Sequence, residues 1–236
     1  MVISMIIKDY VVEEKELNQL VGQYQNLDEQ GRIHRITGLT KSFACRDYTV
    51  DSGLDLEIQN ECSSLLVIRK GKFDDNVIIV APCYEEKETD STLNIALLES
   101  LARYSTTVNS NLSYGFLFLK EEFSSFEGHF FENSNALIYF NLTQRLSPSI
   151  LSDSNQELAD NFLDVAEKRG LCVYSNTPDE SRMLNKLSQY KVPVLGLVPN
   201  PFLDEEEVVY ERIETETLET LAEFVFEKID RNWFFK

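Results

Sequence analysis

Val77-Ile78-Ile79-Val80-Ala81-Pro82 and Tyr114-Gly115-Phe116-Leu117-Phe118-Leu119 are apolar at nearly every consecutive position, and they decide the fold. A strand with one wet face alternates polar and apolar residues, whereas a strand without a polar face is covered on both sides. Between the two runs, Leu93, Ala96, Leu97, Leu101 and Tyr104 recur at helical spacing behind Asp90-Ser91-Thr92, a cluster of capping residues. Buried strand, amphipathic helix and buried strand in succession imply a mostly parallel sheet with helices packed on it.

Working outward, the same theme repeats. Ala136-Leu137-Ile138-Tyr139-Phe140 and Val192-Pro193-Val194-Leu195-Gly196-Leu197-Val198 are further buried strands, with a shorter one at Leu171-Cys172-Val173-Tyr174. Helices are expected from Asn155 to Arg169, ending at Gly170 where a C-terminal glycine belongs, and from Asp179 to Tyr190. A last helix carries Leu218, Leu221, Ala222, Val225 and Ile229 on one stripe. Toward the N-terminus, Leu65-Leu66-Val67-Ile68 faces Val77 to Val80 across Gly71-Lys72-Phe73-Asp74-Asp75, which predicts a hairpin. An opening helix over 12–24 buries Leu17, Leu20, Val21 and Tyr24, with Gly31 beyond its end. Phe43-Ala44-Cys45 and Tyr48-Thr49-Val50 suit antiparallel edge strands, and Leu54, Leu56 and Ile58 alternate as a strand would. The expectation is an α/β, three-layer α/β/α sandwich with a mixed, mostly parallel sheet. It forms a single domain over 1–236, with a helix and edge strands in 1–60 and the core sheet and helices in 61–236.

Composition narrows the function classes. The 236 residues carry 22 basic and 40 acidic side chains, a formal net charge of -18, which repels phosphate backbones and argues against nucleic acid as partner. No apolar run reaches the roughly 18 residues of a membrane span, and the first residues lack a basic lead and a cleavage site. A soluble, cytoplasmic protein is expected. Cys45, Cys62, Cys83 and Cys172 are not spaced as a zinc knuckle or redox pair, so buried free thiols are expected. No G-x-S-x-G elbow is present, which sets aside a serine hydrolase.

In a parallel sheet, ligands lie beyond the carboxyl ends of the strands. The polar residues there are Cys83, Tyr84 and Glu85, then Glu121 and Glu122, then Asn141, and finally Phe202 and Asp204. A cluster of carboxylates at these ends is the best chemical lead. Asp90 also has a plain reading as a helix cap, and Glu121-Glu122 as solvated surface acids.

Val77 through Glu85, Asp90 through Glu99, Leu117 through Phe123, Ile138 through Asn141 and Val192 through Val194, in that order, resemble the co-catalytic zinc aminopeptidases and carboxypeptidases. The resemblance implies a fold of the zinc-exopeptidase (phosphorylase/hydrolase-like) type. It implies two zinc ions held by a His after the first strand, a bridging Asp, a Glu-Glu pair, a later Asp and a second His. Such ligands sit about 2.0–2.2 Å from zinc, and the metal lowers the pKa of a water that a carboxylate deprotonates. Asp90 matches the bridging Asp with a one-residue shift, Glu121 the general base and Glu122 a ligand. Pro82 or Cys83 stands at the first His position, Asn141 at the later Asp and Asp204 at the second His. His34 and His129 are the only histidines, and neither falls in a ligand slot.

The expected function is therefore that of a catalytically inactive aminopeptidase-like protein. It would hold a peptide or protein partner, a basic one given the acidic surface, in a cleft lined by Tyr84, Glu85, Asn141 and Phe202. The alternative is a metal-dependent aminopeptidase with substituted ligands Asp90, Glu122, Asp204 and Cys83 around zinc, and Glu121 as base. Val80-Ala81-Pro82 bears a weaker similarity to the peptidase-like domain of the GPI-attachment subunit of GPI transamidase. The aromatic end Trp233-Phe234-Phe235 needs cover, either from the domain's own sheet or from a larger assembly.

Overall fold

A computed structural model describes residues 14–41, 43–45, 48–50, 52–59, 64–73, 76–82, 91–119, 131, 134–142, 148–151, 154–177, 187–199 and 213–230. Its elements are helices α1 (Glu14–Gln25) and α2 (Glu29–Gly38), and strands β1 (Phe43–Cys45), β2 (Tyr48–Val50), β3 (Asp55–Gln59), β4 (Ser64–Arg69) and β5 (Asn76–Pro82). Helix α3 (Thr92–Ser105) leads to β6 (Ser113–Leu119), β7 (Ser134–Phe140) and β8 (Pro148–Leu151). Helix α4 (Gln156–Arg169), β9 (Tyr174–Thr177), β10 (Val194–Pro199) and helix α5 (Ile213–Glu223) follow, and α5 runs on as a π-helical segment, Phe224–Ile229.

Strands β1 and β2 form an antiparallel ribbon, and the other strands form an eight-stranded sheet in the order β3-β4-β6-β5-β7-β10-β8-β9. Its centre, β6-β5-β7-β10, is a continuous parallel block. Strand β4 joins it antiparallel to β6 on one side, with β3 antiparallel to β4 beyond it, and β8, antiparallel to β10, joins on the other. The central strands have no polar face because both faces are covered. Val77, Ile79, Phe116, Phe118, Ile138, Phe140 and Leu197 pack with residues of α1, α2, α3, α4 and α5. Ile78, Val80, Leu117, Leu119, Leu137 and Tyr139 pack on the other face with Phe131 and Leu187.

The expected β4–β5 hairpin is not formed: β6 lies between the two strands, antiparallel to β4 and parallel to β5. The loop between them is bound to the start of β6 instead of closing on itself. Phe73 donates its N–H to Asn111 O (2.9 Å), Gly71 N–H donates to Ser113 Oγ (3.0 Å), and that hydroxyl donates to Phe73 O (2.9 Å). Gly71 is required here, since a Cβ would lie 2.1 Å from Leu112 O. Strands apolar on both faces also gain more from a central position than from a hairpin that leaves each with a free edge.

Other boundaries also shift. Gly31 lies inside α2, a helix absent from the sequence expectation, which Asp28 caps through its side chain to Gly31 N (2.8 Å). Strand β9 begins only at Tyr174, because Leu171 N–H turns back to Ala166 O (2.9 Å) after the left-handed Gly170, whose φ is 76°. Cys172 is exposed rather than buried for the same reason. Only the end of the helix expected over 179–190 is described, and Ser188–Tyr190 there is a 3-10 turn. The π-helical end of the last helix lets Phe226 meet Tyr104 and Tyr114 edge-on, with centroids 5.4 and 4.8 Å apart. Tyr114 hydroxyl donates to Val225 O (3.3 Å), satisfying a carbonyl in that widened turn.

Candidate functional site

Parallel pairing brings four chain ends to one edge of the sheet. Pro82 pairs with Leu119, Val80 with Tyr139, and Leu197 with Phe140. Neighbouring strands are about 4.8 Å apart, so the chain leaves β6, β5, β7 and β10 along a short front. The residues that follow these ends include nearly all the expected site residues. Cys83, Tyr84, Glu85, Asp90, Glu121, Glu122, Phe202 and Asp204 lie outside the described residues, as does His129. The N-cap of α3 is Ser91, one residue later than the Asp90 cap expected from sequence. His34 is exposed on α2.

Asn141 is described, and its surroundings are specific. It follows β7, is half-buried, and donates its backbone N–H to Leu197 O (2.9 Å). Asn94, in the first turn of α3 and 1% exposed, accepts the Leu142 backbone N–H at Oδ1 (2.8 Å) and donates from Nδ2 to Asn141 Oδ1 (3.0 Å). The backbone donor fixes both amides. Leu142 N–H can only donate, so Asn94 must present its oxygen there and its nitrogen to Asn141. Asn141 therefore turns its oxygen toward Asn94 and its Nδ2 away. Nothing in the sequence marks Asn94, an ordinary polar residue in a helix, because its role depends on a partner 47 residues away.

The resemblance places a zinc-binding carboxylate at this position, and Asn141 does not fit that task. A zinc ligand supplies a lone pair from an anion or imidazole. Asn141 is a neutral amide whose oxygen is already engaged. Among the described residues, no group of three or more His, Cys, Asp or Glu side chains stands ready to hold a metal ion.

Arg32 of α2 reaches the same helix end. Its Nη1 donates to Ser91 Oγ (3.4 Å) and its Nε to Leu27 O (3.3 Å), with no ion pair among the described residues.

The far end of α3 holds a different arrangement. Glu99, fully buried, accepts from Arg35 Nε (2.9 Å) and Nη2 (3.0 Å), from Arg103 Nε (2.8 Å) and from the Tyr24 hydroxyl. Burial by itself would raise the Glu99 pKa, but the hydrogen bonds from Arg35 and Tyr24 and the charges of Arg103 and Arg35 hold it below the ordinary value. Burial and the adjacent carboxylate push the Tyr24 hydroxyl well up. The Arg35 guanidinium also lies 5.0 Å from the Tyr24 ring centre. A groove of about 450 Å³ between α1 and α3 runs past this cluster, lined by Glu16, Gln19 and Gln23 as well as Arg35 and Arg103. Both oxygens of Glu99 are engaged by groups from α1, α2 and α3, so the arrangement joins α1 and α2 to α3.

No family model and no curated protein sequence matches the chain. Solved structures do. A glutaminyl cyclase from an Acidobacteriales bacterium superposes with a TM-score of 0.66 at 12% identity, covering 98% of this chain and 99% of that one. A leucine aminopeptidase precursor from Bacteroides thetaiotaomicron gives 0.59 at 10% identity over 94% and 99%. A zinc aminopeptidase from Bacillus subtilis gives 0.52 at 14% identity over 70% of this chain. This chain spans 50% of that aminopeptidase's length. The fold is that of the zinc aminopeptidases and related peptidase-like proteins, as the sequence resemblance implied.

Proposed function

We propose that the chain is a divergent zinc-exopeptidase relative that has lost peptidase activity and binds a peptide or protein partner at the carboxyl edge of its sheet. The observation that carries this reading is Asn141, whose amide is locked to Asn94 where the resemblance calls for a metal-binding acid. One domain over 1–236 would present the cleft, with Tyr84, Glu85 and Phe202 beside Asn141, in the cytoplasm. The net charge of -18 favours a basic partner and speeds its encounter.

The rival reading is a metallo-aminopeptidase that binds zinc through Asp90, Glu122, Asp204 and Cys83, with Glu121 as base. The likeness to zinc-dependent structures is what favours it. Metal analysis of protein purified without chelators, paired with release of amino acids from short peptides, separates the two. Far less than one zinc per chain and no turnover are expected. Near-stoichiometric zinc, with turnover abolished by Glu121→Gln, would reverse the conclusion.

A further inference from the structure

We infer that the groove between α1 and α3 is a receptor for a small phosphate monoester, held by the guanidiniums of Arg35 and Arg103. The site is separate from the carboxyl edge of the sheet. Its first mark is a surplus of positive charge: one guanidinium neutralises one carboxylate, yet the buried Glu99 is contacted by two. The chain carries 40 acidic and 22 basic side chains, but the charges of this groove that reach solvent are inverted, Arg35 and Arg103 against Glu16. Glu16 precedes Tyr24, the α1 residue that bonds Glu99, by eight positions, about 12 Å along the helix axis. That exceeds the screening length of about 8 Å at physiological salt.

Both arginines spend the same edge on Glu99, each using Nε and Nη2. A guanidinium has five N–H bonds, so each keeps its two Nη1 hydrogens and the outer Nη2 hydrogen, the fork at the tip of the side chain. Glu99 cannot accept these as well. Its Oε1 already receives Arg35 Nη2, Arg103 Nε and Arg103 Nη2, and its Oε2 receives Arg35 Nε and the Tyr24 hydroxyl. The two Nη2 atoms lie 3.0 and 2.8 Å from the same oxygen, which makes the forks neighbours, and both residues line the one groove. Side-chain exposures of 27% and 60% leave the tips within reach of a solute.

Two adjacent forks select the occupant. A carboxylate has two oxygens and fills one fork, whereas a phosphate monoester has three and nearly two negative charges at neutral pH, enough to engage both. The groove, about 450 Å³, is of the size that takes a small molecule. Leu20 and Tyr104 supply apolar surface for the rest of the ligand, and Gln19 and Gln23, four residues apart on one face of α1, supply amides. A nucleic acid is excluded as occupant because the net charge of -18 repels its whole backbone.

Calorimetric titration of the full chain with phenyl phosphate and with phenylacetate tests the site. Phenyl phosphate is expected to bind at least tenfold more tightly than phenylacetate, and to shift the Nε–H signals of Arg35 and Arg103 in isotope-labelled protein. Arg103→Gln, which leaves the Arg35–Glu99 pair in place, is expected to weaken binding about tenfold, and Arg103→Lys, which keeps the charge but not the fork, nearly as much. Lys168→Gln removes a charge from α4, outside the groove, and should leave the affinity unchanged. Equal affinity for the two probes overturns the phosphate assignment. Absence of binding at millimolar phenyl phosphate, binding that leaves both arginine signals unmoved, or equal weakening by Lys168→Gln and Arg103→Gln overturns the site itself. None of these outcomes touches the loss of peptidase activity, which the zinc and turnover measurements decide.

Discussion

The two ends of α3 solve opposite problems with opposite chemistry. At its C-terminal end a buried carboxylate is neutralised by two guanidiniums and a phenol, and no hydrogen-bonding atom of Glu99 is left over. At its N-terminal end two neutral amides are locked in series, and the half-buried Arg32 guanidinium makes long hydrogen bonds to Ser91 Oγ and Leu27 O. Saturated charged clusters hold elements together, whereas a relay of neutral amides sets the direction of a side chain without burying a charge. The comparison teaches that the charged cluster, which draws the eye first, ties helices together, whereas the amide pair lies at the sheet edge where the proposed cleft would be.

Breaking the saturated end has the largest expected effect. Glu99→Ala strands Arg35 against Tyr24 and removes the tie between α1, α2 and α3, with an expected loss of about 3 kcal/mol in denaturant unfolding. A loss well below 1 kcal/mol would mean that the hub contributes no more than surface pairs do. Asn94→Ala comes next: it leaves the Leu142 N–H without its partner in a buried setting, at a cost of about 1–3 kcal/mol. Asn94→Asp would sharpen the comparison, because it keeps the Leu142 bond, loses the donor to Asn141 and frees that amide to rotate. The Asn141 NH₂ signal should then broaden or move with little change in stability.

The pH dependence separates the two ends further. The folded-state pKa of Glu99 is depressed below its ordinary value of 4.5, so its stabilisation is fully present above about that pH and is lost as pH falls through the depressed value. Glu99→Gln should therefore flatten the acid limb of the stability curve, while Asn141→Asp should not. The smallest effect is expected at Asp164 of α4, an exposed carboxylate paired with Lys168 and Lys228, whose pKa is lowered to about 2. Asp164→Asn should leave the melting temperature almost unchanged at moderate salt, and a clear drop would show that this pair holds the last helix in place.

Much of the architecture was legible because it follows local rules. Unbroken apolar runs announced the strands of the parallel block, and Asn155 and Gly170 bracketed α4 as a cap and a left-handed stop should. Helix α2 escaped notice because Gly31 reads as a stop signal, and only the Asp28 cap ahead of it marks a beginning. Strand β8 was missed as well: at four residues, Pro148–Leu151, it is too short to show a period. The β4–β5 pairing failed for another reason. A turn sequence permits a hairpin, but the loop's hydrogen bonds to Asn111 and Ser113 determine which strand becomes the neighbour.

The candidate site divides in the same way. Asn141 could be found at a strand end from sequence, and its neutrality argued against a metal ligand there. Its sense could not be found, since whether it offers a donor or an acceptor depends on Asn94 and on the Leu142 backbone. Arg32 and Glu99 carried no motif at all.

By itself the sequence determined the buried strands of the parallel block, the helices α1, α3 and α4 and the net charge, because burial and periodicity are properties of neighbouring residues in the chain. Only the tertiary structure decided that β6 separates β4 from β5, that Glu99 is saturated and that Asn141 turns its donor outward. Each depends on groups distant in sequence competing for the same hydrogen bonds, and that competition is settled only once the sheet and α3 are in place.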